Sequence, residues 1–169
     1  MKKILMIIPP NNFRDEELLV PKRMFLESHI EVIIASENSQ KAKGMLGAVS
    51  KVDTDITKID LSEYNAVVFV GGSGVEEYKL YENNLFLNLA KQASYRGKLV
   101  AAICLAPMIL ANAGLLTKRK VTASSSAKGY LLGRGAIYEE KLVVKDGLII
   151  TASGPSASKD FAELIKKSI

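Results

Sequence analysis

Apolar residues come along this chain in short, nearly unbroken runs, separated by amphipathic stretches and by turns marked with glycine or proline. Ile4 to Ile8, Ile30 to Ala35, Ala66 to Val70 and Leu99 to Ile103 are the principal runs. Runs of this length predict strands buried on both faces. The stretch beginning Phe13-Arg14-Asp15-Glu16-Glu17 leads into a helix whose apolar positions include Leu18, Leu19, Met24, Phe25 and Leu26. Acidic residues in a first turn complement the helix dipole, and Pro21 is expected early in this helix, where a missing N–H does least damage. A second helix is predicted over Asn84 to Arg96, closed by Gly97, and a third from Pro107 to a stop at Gly114. Lys41 to Val52, with Gly44 and Gly47, reads as a short hairpin or irregular ribbon, and Ile59 to Tyr64 as a tight turn. Late strands are expected at Val121, Ile137-Tyr138, Leu142 to Val144 and Leu148 to Ala152, with Asp146-Gly147 as a hairpin turn. Ser156 to Lys167 closes the chain as a helix with Phe161, Ala162, Leu164 and Ile165 on one side.

Strands alternating with helices predict one α/β domain over 1–169, a mostly parallel sheet between helix layers. Ligands in such sheets bind beyond the carboxyl ends of the strands. The loops after Ile8, Val70 and Ile103 lie there, and they carry Glu17, Gly71-Gly72 and Cys104.

Cys104 is the only cysteine, and it sits where the pattern changes from buried strand to helix. A helix N-terminus offers unpaired N–H groups and a positive partial charge. Both favour thiolate over thiol, and the thiolate is the nucleophile. On this basis a depressed thiol pKa and an accessible sulfur are expected. The same N–H groups can stabilise an oxyanion, which is the logic of a nucleophile elbow with Cys in place of Ser. A small buried core cysteine is the alternative reading of the spacing.

Composition narrows the class. Apolar residues make up 48% and charged residues 24% of the 169, ordinary values for a globular protein. A single Cys excludes an internal disulfide, so a reducing cytoplasm is the expected setting. The apolar runs are too short to cross a bilayer, and the Met1 to Ile8 segment, followed by Pro9-Pro10, reads as a first strand and not as a signal sequence. The net charge of +5 comes from scattered basic residues, so no specific nucleic-acid partner is expected. The reading calls for no cofactor and no metal.

Three segments together carry a resemblance: Glu17-Leu-Leu-Val-Pro21, Val70-Gly-Gly-Ser-Gly-Val-Glu76, and Val100-Ala-Ala-Ile-Cys104-Leu-Ala-Pro107 with its continuation to Gly114-Leu-Leu. Thr151-Ala-Ser-Gly154-Pro155 adds a late strand-end motif. The chain resembles, over essentially its whole length, the ThiJ/PfpI superfamily within the class I glutamine amidotransferase-like fold. The resemblance implies a flavodoxin-like three-layer sandwich assembled as a homodimer or larger homo-oligomer. It implies Cys104 as elbow nucleophile, Glu17 as the buried acid beside it, and the backbone N–H groups of Gly72 and Leu105 as oxyanion hole. Glu76 matches an acid offered to a neighbouring subunit's site, though an acid there can also complete a helix cap. Gly71, Ser153 and Ser124 with its neighbours Ser125 and Ser126 are candidates for lining the pocket.

One departure bears on the reaction. The protease branch of the superfamily carries His directly after the nucleophile, where this chain has Leu105. Amide hydrolysis needs a base and acid to bring the proton to the leaving amine. The one histidine, His29, precedes the second strand, which points to a structural or surface role. A thiol, a carboxyl and an oxyanion hole suffice for addition to a reactive carbonyl. The expected function is therefore thiolate chemistry on small reactive carbonyls, of glyoxalase or deglycase type, or a part in oxidative stress. An intracellular peptidase is the disfavoured alternative, and a non-enzymatic redox sensor or holdase is another.

Overall fold

The structure, a computed structural model, describes residues 1–169. In chain order the elements are β1 (Lys3–Ile7), α1 (Asp15–Glu27), β2 (Glu31–Ser36), β3 (Lys41–Lys43), β4 (Val49–Lys51), β5 (Thr54–Asp55), β6 (Ala66–Phe69), α2 (Gly74–Glu77), α3 (Asn84–Tyr95), β7 (Leu99–Ile103), α4 (Pro107–Asn112), β8 (Lys120–Val121), α5 (Lys128–Gly133), β9 (Ile137–Tyr138), β10 (Val143–Asp146), β11 (Ile149–Ala152) and α6 (Ser158–Ser168). Seven strands form the central sheet in the order β10-β11-β7-β6-β1-β2-β5. Every pairing is parallel except β10 with β11, the hairpin predicted around Asp146-Gly147. β3 and β4 form the predicted antiparallel hairpin, while β8 and β9 pair in parallel outside the main sheet.

The pleat explains the unbroken apolar runs. Leu5, Ile7, Val67, Phe69, Val100 and Ala102 face one side, packed with Phe86 and Ala90 of α3, Ile109 of α4 and Leu131 of α5. Their neighbours Ile4, Met6, Val68, Ala101 and Ile103 face the other, against Leu18 and Phe25 of α1 and Phe161 and Ile165 of α6. A strand with helices on both faces must be apolar at every position, so it shows no alternation in sequence. The result is the mostly parallel three-layer α/β sandwich that the patterning predicts. No helix is long and apolar enough to cross a membrane.

Three local features differ from expectation. Pro21 is the seventh of the thirteen residues of α1, not an early one, and the helix runs through it. Its lost backbone bond is offset by burial of the ring on the core side of the helix. The edge strand β5 and the short helices α2 and α5 have too few residues for a periodic signal, and went unpredicted. The chain leaves β1 toward β2 on one side and returns to β6 on the other, which makes the gap between β1 and β6 a topological switch point.

Candidate functional site

The loops after β1 and β6 are stitched to each other above that switch point. Arg14 N–H donates to the Gly71 carbonyl at 3.0 Å, and Gly74 N–H to the Asn12 carbonyl at 3.0 Å. Helix α1 therefore starts over Gly71, and Glu17 in its first turn points into the protein, with no exposed surface. Its Oε2 accepts from Gly71 N–H at 2.9 Å, while Oε1 is buried without a hydrogen-bond partner. Gly71 lines no pocket. It lies beneath the site because nothing larger fits: a Cβ there would stand 2.5 Å from Glu17 Oε2, 2.6 Å from the Ile103 carbonyl and 2.7 Å from Cys104 Cβ. The same close approach sets the carboxyl against the turn that carries the thiol.

Cys104 adopts φ +64°, in the left-handed region. For a non-glycine residue this costs on the order of 1 kcal/mol or more. The turn is held from both sides, by Cys104 N–H to the Ala152 carbonyl (3.0 Å) and Ser124 N–H to the Cys104 carbonyl (2.9 Å). Pro107 occupies the start of α4 as predicted. The N–H groups of Gly72 and Leu105 enter no backbone hydrogen bond, and both act on the sulfur. Gly72 has φ +119°, and a Cβ there would meet the Asn12 carbonyl at 2.4 Å, so its backbone can face the sulfur only as glycine.

The partly exposed thiol opens into a pocket of about 230 Å³. Gly72, Leu105, Glu76, Ser124 and Ser126 line it; of these the sequence offered Ser124 and Ser126 as lining residues, and the resemblance offered Gly72 and Leu105 as N–H donors and Glu76 for a neighbouring subunit's site. Glu76 is exposed at this pocket. Ser153 is not part of it. It lines a neighbouring polar groove of about 480 Å³ that meets the Cys104 pocket at Ser124 and Pro155. Arg14 and Met45 also line the pocket and were not singled out in the sequence. Arg14 reads there as one of many surface cations, and Met45 reaches the site only through the packing of its hairpin. His29 is exposed after α1, at the amino ends of the parallel strands, while Cys104 lies beyond their carboxyl ends. No Cys–His pair exists within the chain.

Electrostatics correct one expectation. Burial pushes the Glu17 carboxyl up from 4.5 to about 7, against the opposing pull of Cys104 and the Gly71 N–H. The Cys104 thiol is not depressed. Burial, followed by the negative charge of an ionised Glu17, pushes it up to about 12, and the Leu105 and Gly72 N–H groups only reduce that rise. The dipole argument omitted both burial and the neighbouring carboxylate. With Glu17 protonated, the repulsion vanishes and the carboxyl can donate to sulfur. With Glu17 ionised, it is a base next to a thiol. With Glu17 ionised the pair holds one proton, on sulfur; with Glu17 protonated each group carries its own, and in both states the Gly72 and Leu105 N–H groups face the sulfur.

The DJ-1/PfpI family model matches residues 2–168. An uncharacterized protein of Methanocaldococcus jannaschii is 38% identical over 99% of this chain and 82% of its own. A deglycase of Pyrococcus horikoshii is 31% identical, covering 96% of this chain and 99% of its own. Among solved structures, a ThiJ/PfpI domain protein from Brachyspira murdochii superposes with a TM-score of 0.94 at 33% identity, covering 99% of this chain and 97% of that one. With a buried acid, a strained cysteine turn and a matching fold over its full described length, the chain belongs to the DJ-1/PfpI family.

Proposed function

We propose that this protein uses Cys104 as a nucleophile on small reactive carbonyl compounds or their adducts, in the manner of a glyoxalase or deglycase. The observation that carries the reading is the buried Glu17 carboxyl, raised to about 7, against a thiol facing two unspent N–H groups. Glu17 as carboxylate takes the thiol proton while sulfur attacks the carbonyl carbon. The C–S bond forms, the π pair of C=O moves to oxygen, and the N–H groups of Gly72 and Leu105 hold that oxygen. The protonated Glu17 then returns the proton to the adduct. One carboxyl serves as base and acid in turn, which a pKa near 7 permits at neutral pH. The deglycase name of the Pyrococcus relative supports the same chemistry.

The peptidase alternative is weakened by Leu105 where a base would stand, and by the distance of His29 from the site. A reducing cytoplasm is the setting that this reading requires, since an oxidised Cys104 has no second cysteine to restore it. The test incubates the purified protein with methylglyoxal and, separately, with casein, beside Cys104→Ala. Loss of methylglyoxal by the wild type alone, with casein intact, is the expected result. Cleavage of casein, or methylglyoxal loss that survives Cys104→Ala, rejects the proposal.

A further inference from the structure

Two sulfur-bearing residues line the pocket over the sheet, and only one of them belongs to the Glu17–Cys104 pair. The other is Met45. Of the five methionines, Met6, Met24 and Met108 are buried, Met1 stands free at the chain start, and Met45 is 41% exposed. Met45 alone among them is both open to solvent and part of a pocket wall.

Met45 is held at both ends. Its N–H donates to the Phe13 carbonyl at 2.9 Å, and Asp15 fixes the residues that follow through Leu46 N–H and Ala48 N–H, at 2.9 and 2.8 Å. At the far end, Ser73 N–H donates to Met45 Sδ at 3.3 Å and has no other acceptor. A thioether is a weak acceptor, so an N–H aimed at one is poorly satisfied. A sulfoxide oxygen is a strong acceptor. Arg14, in the same pocket, spends Nε and Nη2 on Glu16 at 2.8 and 3.2 Å and keeps the N–H groups of Nη1 for another acceptor. The wall around Met45 therefore suits the oxidised side chain better than the reduced one.

The two sulfurs differ in what they need before an oxidant can react. The Cys104 proton must leave before that sulfur is a good nucleophile, and burial, followed by an ionised Glu17, pushes the thiol up to about 12. A thioether has no proton to lose. We propose that Met45 is a reversible oxidation site that closes the pocket over Cys104. Its sulfur lone pair attacks one oxygen of hydrogen peroxide. The S–O bond forms, the O–O bond breaks, and the departing hydroxide takes the proton of the retained oxygen and leaves as water. Sulfur loses two electrons and the peroxide gains them. The new oxygen accepts from Ser73 N–H and fixes the side chain across the pocket mouth. A methionine sulfoxide reductase with a dithiol reverses the step, turning sulfoxide and two thiols into thioether, disulfide and water. Labelling of the thiol reads the closure, so this site does not depend on the carbonyl reaction.

The experiment treats the whole protein with graded hydrogen peroxide at neutral pH and removes the excess with catalase. Peptide mass spectrometry then locates the added oxygen, and iodoacetamide labelling of Cys104 is timed. Met45 should gain one oxygen before Cys104 gains any, and labelling should slow by about 5-fold, the value of one added hydrogen bond. Dithiothreitol alone should leave the slowing in place, whereas it would restore a sulfenic acid at Cys104. Dithiothreitol with the two methionine sulfoxide reductases, one for each epimer, should bring the original rate back. Met45→Leu keeps the bulk and cannot take oxygen, so its labelling rate, whatever the starting value, should not respond to the same dose. Oxygen on Cys104 ahead of Met45, or a Met45 that stays reduced while Met1 is oxidised, overturns the site. Met45 sulfoxide with an unchanged labelling rate, or equal slowing in Met45→Leu, overturns the closure.

Discussion

In the unfolded chain the Glu17 carboxyl titrates near 4.5, and in the folded protein near 7 because it is buried. Below pH 4.5 both states are protonated and the native state loses nothing. Between these values the unfolded state releases its proton first, so stability falls as pH rises and the loss is complete above about 7. The shift corresponds to roughly 3 kcal/mol. Glu17→Gln cannot ionise and can keep the acceptor for Gly71 N–H. Denaturant melts at pH 5 and pH 8 should show the wild type losing about that much stability relative to Glu17→Gln; parallel pH curves would place Glu17 in a solvated setting instead. Gly71→Ala should be far more harmful. Its Cβ collides with Glu17 Oε2 and with the Ile103 backbone at once, so a loss of several kcal/mol and of iodoacetamide labelling at Cys104 is expected from melts and mass spectrometry. At this scale the strand-end loops that carry Glu17, Gly71-Gly72 and Cys104 were legible in the sequence, because strand ends and their flanking glycines announce themselves, whereas the pairing of Glu17 with Cys104 and the choice of the Gly72 and Leu105 N–H groups came from the family resemblance. The direction of the Cys104 shift was not. Spacing reveals a helix start, but neither the burial of a sulfur nor the charge state of a residue 87 positions away.

Elements bring the remaining pocket residues into place. The β3–β4 hairpin is pinned to α1 by one side chain: Asp15 Oδ1 accepts from Leu46 N–H at 2.9 Å, and Oδ2 from Ala48 N–H at 2.8 Å. Gly44 allows this approach, since a Cβ there would stand 2.2 Å from Asp15 Oδ1. The turn so held carries Met45 to the Cys104 pocket. Asp15→Ala removes both acceptors and leaves two N–H groups to find water, at a cost of about 2 kcal/mol. It should also speed iodoacetamide labelling of Cys104 severalfold as Met45 moves away. Unchanged labelling would mean that the hairpin does not cover the thiol. The sequence showed this hairpin through Gly44 and Gly47 but not its target, because a contact between residues 15 and 46 leaves no periodic trace. The continuous strands β1, β6 and β7 were readable for the opposite reason: two covered faces demand apolar residues at every position.

At the scale of the whole molecule, Leu19 on α1 and Leu46 and Val49 on the hairpin remain exposed, at 46%, 63% and 66%. The hairpin is bonded to the start of α1. A homodimer or larger homo-oligomer, as first expected from the family resemblance, would cover such residues and set Glu76 near a neighbouring copy. Light scattering at micromolar concentration should then give at least twice the 18.4 kDa of one chain. A strict monomer would count against the assembly and against any intersubunit role for Glu76.

In the proposed reaction Glu17 and Cys104 act as one unit. Its most direct test is the pH profile of kcat/KM for methylglyoxal consumption by the wild type, Glu17→Gln and Cys104→Ala. Because Glu17 must be ionised to accept the thiol proton, the wild-type profile should rise through pH of about 7. Glu17→Gln should lose the inflection and at least ~10²-fold in rate, the scale of a positioned acid–base group, and Cys104→Ala should be inactive. A flat wild-type profile across that range, or a Glu17→Gln variant as fast as the wild type, would contradict it.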